Sequence, residues 1–225
     1  MLSWSLNKVL RLASGIDLSS CSYQYLLRKT LFLLALASGA RLSEIEALSR
    51  DKGYVQFLSS GEVDLSPHQQ FFAKNEDPQQ RWKPWRIVPL PQDLSLCPVA
   101  ALKDYLRRTS TWSSGRLFRR EQGGTITTNG IRQQILYFIK EADPDSVPKA
   151  HQVRAIATSV NFFRFMDFHA LQEYTGWKSP KVFAKHYLKN IESLTFHTVA
   201  AGKVVPPSNT CSDTENPHDS TESNS

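Results

Sequence analysis

Apolar positions are not spread evenly along the 225 residues. From Tyr23 to Ala37 good helix formers follow one another, with a cationic start at Arg28 and Lys29 and apolar residues almost all round afterwards, which predicts a helix central to the core. The apolar run Leu31 to Ala37 inside it is too short to span a bilayer and too far inside the chain for a signal peptide. Ser38-Gly39 punctuates this helix. The following "SEIE" offers a capping box, with Ser43 as N-cap and Glu46 reaching back, so Arg41 is expected on a tight turn before a helix N-terminus.

Between Gly53 and Leu90 the period shortens. The pieces "YVQFL", "EVDL", "QFFAK" and "RIVPL" alternate and are separated by Ser-Gly and by the polar "NEDPQQRWKP", which predicts a small antiparallel sheet. Helical periodicity resumes at Pro98, a good first-turn residue, in "PVAALKDYLRR", where Val99, Leu102 and Leu106 share one side. Further helices are predicted near Asn129 in "GIRQQILYFIKEA", then in "AHQVRAIATSVNFFRF", "FHALQEYT" and "SPKVFAKHYL", the last with Ser179 as N-cap and Pro180 after it. The expected fold class is mainly α with a small antiparallel β-sheet (α+β).

Composition adds a boundary and a partner. Residues 204–225 are rich in Ser, Asn, Pro and Thr, lack Lys and Arg, and carry Asp213, Glu215, Asp219 and Glu222, the pattern of a disordered acidic tail. The whole chain is +6. The four acids of the tail mask a charge of about +10 on residues 1–203, an excess that favours polyanions through counterion release. Nucleic acid is therefore the leading partner. Apolar content of 40% suits a folding globular domain. Cys21, Cys97 and Cys211 are odd in number and lack metal-ligand spacing, which points to a reducing compartment and no structural zinc.

Several side chains could carry chemistry. His151 and Arg154 are three residues apart, so on a helix they share a face. A guanidinium is a permanent bidentate clamp for phosphate, and an imidazole can move a proton near neutral pH. The plainer reading is a surface pair. Arg41 precedes a helix N-terminus, a favourable setting for an anion, and Glu44 could orient it through a salt bridge or simply favour the helix dipole. Lys74, at the end of "QFFAK", could reach into a cleft from a hairpin, with Lys83 across the turn as its competitor; both could equally be ordinary edge lysines. Trp177 offers an indole N–H that cannot titrate, or a core aromatic. Tyr187 shares a helical face with Phe183 and could be mere packing.

The order of these residues adds what none of them carries alone. Arg, Lys on a hairpin, His-x-x-Arg, Gly-Trp and Tyr on the next short helix resembles the catalytic domain of tyrosine recombinases, the phage integrase family. The wording of "LASGARLSEIEAL", "CPVAALKDYLRRT", "HQVRAIATS" and "GWKSPKVFAKHYL" is most similar to recombinases of DIRS-type retrotransposons. The likeness covers roughly residues 23–190, and several separated motifs in one order are more specific than any single motif. It implies a division into a short N-terminal remnant at 1–22 that could form a helix, a catalytic domain at 23–203 and the tail at 204–225.

The resemblance also implies roles. Tyr187 would be the nucleophile, giving a 3′-phosphotyrosyl enzyme and a free 5′-hydroxyl, with the bond energy held for rejoining. Arg41 and Arg154 would hold the nonbridging oxygens, supported by Glu44, and Lys74 would protonate the leaving oxygen. His151 would be a proton carrier or hydrogen-bond donor. Trp177 stands where many members have histidine and would position rather than transfer a proton. The scheme uses no metal and no cofactor. Its partner is double-stranded DNA, with a homo-tetramer on two duplexes when active and no membrane, in the nucleus of a eukaryote or otherwise in the cytoplasm, and not secreted. Members usually carry a helical N-terminal domain that closes around DNA, and only residues 1–22 precede the first core helix here, so that clamp is expected to be largely missing. The alternatives are a catalytically silent DNA-binding protein derived from a transposon recombinase, and a type IB topoisomerase-like enzyme.

Overall fold

In the computed structural model, residues 3–72, 84–112 and 114–164 are described, and for 159–164 the backbone alone. The first helix, α1 (Leu6–Gly15), starts where the Ser5 hydroxyl accepts the Lys8 N–H, and its stripe Leu6, Val9, Leu10 and Ala13 is buried. Helix α2 (Tyr23–Ser38) is capped by Ser22 and ends at Gly39, whose φ of 59° is the left-handed conformation that favours glycine at a helix C-terminus. Between these caps nearly every side chain from Leu26 onward is buried. The apolar run thus forms the central helix, with α4 (Pro98–Arg108), α5 (Thr128–Ala142) and α6 (His151–Arg164) packed around it.

Of the two cations within α2, Arg28 and Lys29, the second turns inward. Lys29 is buried, and its Nζ donates to the Ile16 carbonyl at 2.8 Å, which ties the end of α1 to α2. Burial holds its pKa below the ordinary lysine value.

The short helix α3 (Leu42–Ala47) follows Gly39 directly, and the sheet comes next. Strands β1 (Val55–Phe57), β2 (Val63–Leu65) and β3 (Trp85–Ile87) run antiparallel in the order β1-β2-β3. Val63 pairs with Phe57 on one side and with Ile87 on the other. Val63, Leu65 and Ile87 are fully buried in the same core cluster as the helices, and β3 touches α2, so one face of the sheet packs on the helical core. The mainly helical class with a small antiparallel sheet is the observed architecture.

Two local expectations are corrected. Gln70 to Phe72, the described part of "QFFAK", is not a strand: the His68 N–H donates to Ala47 and the Phe71 N–H returns to the His68 carbonyl, so a tight turn replaces the ladder. Ala73 and Lys74 lie outside the described residues, as do the predicted helices in "FHALQEYT" and "SPKVFAKHYL". The N-cap of α3 is Arg41 rather than Ser43, and the residue reaching back is Glu44 rather than Glu46. Glu46 serves another helix, accepting the Thr128 N–H at 2.8 Å in the first turn of α5.

The first residues are built into the same core. Trp4 is buried with its ring edge-on to Phe32 at 6.3 Å, and the cluster of buried residues runs from Trp4 to Ala157. At the end of α5, Asp143 accepts the Lys8 ammonium at 2.6 Å and the Ser5 N–H at 2.9 Å. The Lys8 bond first, and the Ser5 bond after it, hold the Asp143 carboxyl below its ordinary 3.8. A carboxyl with a depressed folded pKa contributes stability that is present above the unfolded value and is lost as pH falls through the folded one. Asp143→Asn is therefore expected to be less stable than the parent chain near neutrality, with the gap closing below pH 3.8. Denaturant unfolding of both at a series of pH values measures that gap, and a gap independent of pH would contradict it.

Candidate active site

The site is built where the end of α2 meets the start of α6. The left-handed turn at Gly39 reverses the chain so that Arg41, two residues on, becomes the first capping position of α3. Glu44 then stands one turn into the helix, and its carboxylate closes the turn: Oε2 accepts the Arg41 backbone N–H at 2.6 Å and Oε1 accepts Arg41 Nη1 at 2.7 Å. Both expected roles of Glu44, first-turn acid and salt-bridge partner, are thus filled by the same side chain.

Packing of α6 against α2 brings in the second guanidinium. Arg154 lies in the first turn of α6, with Nη1 3.7 Å from Glu44 Oε2. The Arg154 and Glu44 side chains are 9% and 8% exposed, whereas that of Arg41 is 32% exposed. The carboxylate is buried, and burying one charge is costly unless opposite charge and hydrogen bonds accompany it. Here two guanidiniums share one carboxylate, which leaves the group one net positive charge and keeps part of Arg41 open to solvent. Guanidinium forks present N–H donors in a plane that suits a tetrahedral oxyanion, so the arrangement can hold a phosphate.

His151 is exposed at the first residue of α6, one turn before Arg154 on the same side of the helix. The structure therefore brings Arg41, Glu44 and Arg154 together and puts His151 on the helix that supplies Arg154. Lys74, its competitor Lys83, Trp177 and Tyr187 all lie outside the described residues.

Among the described residues, no group of three or more His, Cys, Asp and Glu side chains is gathered as a metal site would gather them, and no helix is long and apolar enough to cross a membrane. A separate cavity of about 320 Å³ opens between α2 and α5, lined by Gln24, Gln133, Gln134 and Arg120 among others. It does not include the arginine pair. Sequence reasoning missed the second partner of Glu44 and the buried Gln152, which follows His151; the Glu44–Arg154 and Gln152–Trp4 contacts each join distant parts of the chain, and only the bond from the Lys149 N–H to Gln152 is local.

No family model matches the sequence, and no curated protein matches it. Solved structures do. The chain is similar to the XerA recombinase, with 18% identity and a TM-score of 0.58 over 84% of this chain and 59% of that one. It is also similar to the XerH site-specific recombinase, solved bound to its difH substrate in a pre-cleavage complex, with 19% identity and a TM-score of 0.55 over 79% of this chain and 46% of that one. The fold is that of tyrosine recombinase catalytic domains. The chain spans less than two thirds of the length of either recombinase.

Proposed function

We propose that this chain cleaves and rejoins DNA strands through a 3′-phosphotyrosyl intermediate, as a recombinase of a mobile element related to DIRS-type retrotransposons. The observation that carries the reading is the meeting of Arg41 and Arg154 on one buried carboxylate, Glu44, within a recombinase fold. Two arginines from separate helices are what a phosphodiester needs at its two nonbridging oxygens, because negative charge grows there as the phosphorus becomes five-coordinate.

In this reading the Tyr187 oxygen forms a bond to phosphorus as the bond to the 5′-oxygen breaks. Lys74, or Lys83 across the same turn, gives the leaving oxygen its proton, and His151 carries a proton or donates a hydrogen bond. Trp177 donates its indole N–H to the phosphate. Because the phosphotyrosyl ester keeps the bond energy, a 5′-hydroxyl from another strand can reverse the step without a nucleotide cofactor. The partner is double-stranded DNA, with a homo-tetramer on two duplexes, in the nucleus of a eukaryotic cell or otherwise in the cytoplasm. The domain responsible is assigned to residues 23–203, with residues 4–18 contributing side chains to the same core.

A trap tests this directly. A nick placed just beyond the scissile phosphate releases a short 5′-hydroxyl fragment, so the covalent complex cannot reseal. Incubating the chain with a pool of such nicked duplexes of randomised sequence, then resolving protein on a denaturing gel, is expected to show a DNA-linked band. Salt-sensitive binding with no linked band at any nick position would overturn cleavage and leave a silent DNA-binding protein.

A further inference from the structure

The arginine pair explains what holds Arg41, but not what fixes the first turn of α6, from which both His151 and Arg154 project. Gln152 lies between them, and successive helical residues point about 100° apart, so it faces away from the side the other two share. It is buried at 7% exposure. Two N–H groups donate to its Oε1, those of the Trp4 indole at 3.0 Å and the Lys149 backbone at 3.2 Å, and the Ser3 hydroxyl lies 2.9 Å from the same oxygen. Its own backbone N–H returns to the Lys149 carbonyl at 2.9 Å.

The bonds to Lys149 form a reciprocal pair, side chain to backbone one way and backbone to backbone the other. Such a pair defines where a helix begins, just as Glu44 does for Arg41. The bond to Trp4 defines how the helix is rotated. Trp4 is a buried, packed donor: it is 5% exposed, edge-on to Phe32, which in turn packs against Phe138 of α5 at 5.5 Å. The Ser3 hydroxyl also lies 2.6 Å from the Val147 carbonyl, in the loop that enters α6. The N-terminal segment thus grips the start of α6 on the side opposite the site.

We propose that Gln152, held by Trp4, is a positioning residue: it sets the start and rotation of α6 so that His151 and Arg154 address the same anion as Arg41. This rests on the reading of Arg41 and Arg154 as a phosphate site. A support of this kind acts through geometry, and a displacement of about 1 Å at such a site can cost up to about a hundredfold in function.

The test uses the full chain with labelled histidine and inorganic phosphate as the probe. The His151 ring signal, assigned by its loss in His151→Gln, is followed by NMR as phosphate is added. In the parent chain the signal is expected to shift saturably. Gln152→Leu removes the acceptor and is expected to weaken the phosphate affinity read at His151 by roughly 10- to 100-fold. Trp4→Phe keeps an aromatic ring at the site but removes the indole N–H together with the fused five-membered ring; it is expected to weaken that affinity by a smaller factor, with unfolding measured alongside so that the loss is read in folded protein, which covers the case in which Gln152→Leu does not fold. A parent-like response in either folded variant would overturn the proposal. Absence of any His151 shift in the parent chain would overturn the phosphate-site reading itself, and the positioning role with it.

Discussion

Tyr187→Phe is expected to form no covalent DNA adduct at all while binding DNA with nearly unchanged affinity and salt dependence. The substitution removes one oxygen and keeps the ring, so packing is retained and the nucleophile is gone. Binding should survive because it is spread over the excess of about +10 on residues 1–203, each phosphate contact adding its own share of counterion release. The adduct should not survive, since a phosphodiester ester bond to protein needs that oxygen. Band formation on the nicked pool and a salt series of binding constants check the two halves separately. A linked band of parent intensity from the Phe variant would remove Tyr187 from the mechanism.

The second large effect concerns Arg154. With Arg41, Glu44 and Arg154 in contact, the group carries one net positive charge; Arg154→Ala leaves Arg41 and Glu44, whose charges cancel. The pair should then bind a phosphate poorly and stabilise its transition state worse. A drop of about 10²–10³-fold in single-turnover adduct formation is expected, the scale of losing one well-aimed donor to a developing oxyanion. Arg154→Lys restores the charge but not the planar fork, so most of the loss should remain. Some destabilisation accompanies either change. It should fall below the roughly 3–5 kcal/mol of an orphaned buried charge, because Glu44 keeps two bonds to Arg41. Measuring adduct rates alongside thermal unfolding separates the effects: a rate loss that merely tracks the fraction unfolded would contradict the assignment.

The sequence was most legible where one element decides its own form. The dense apolar run of α2, the Pro98 start of α4 and three of the four alternating pieces, "YVQFL", "EVDL" and "RIVPL", each carry a local period, and each is found where that period places it. It was least legible where two local solutions compete. Around α3 both Ser43 with Glu46 and Arg41 with Glu44 satisfy the spacing of a reciprocal cap. What decides between them is tertiary: Glu46 is drawn to the Thr128 N–H of α5, and Glu44 gains Arg154 as a second cation. The turn at His68 to Phe71 replaced an expected strand for a similar reason, since the Ala47 carbonyl captures the His68 N–H.

The candidate site divides in the same way. Arg41, Glu44, His151 and Arg154 could be named from spacing and motif order, but their meeting on one carboxylate could not, because Glu44 and Arg154 share no helix. Gln152 gave no sign at all. A glutamine between two candidate residues looks like a solvated side chain until the indole of Trp4, at the far end of the sequence, is seen to donate to it.

The most direct test of the central claim is to locate the covalent bond. The DNA-linked protein is digested with nuclease and trypsin, and the peptide carrying the nucleotide remnant is identified by mass spectrometry. The account predicts the remnant on His186–Lys189, attached through a 3′-phosphate to Tyr187. A remnant on any other peptide, or attachment through a 5′-phosphate, would contradict it.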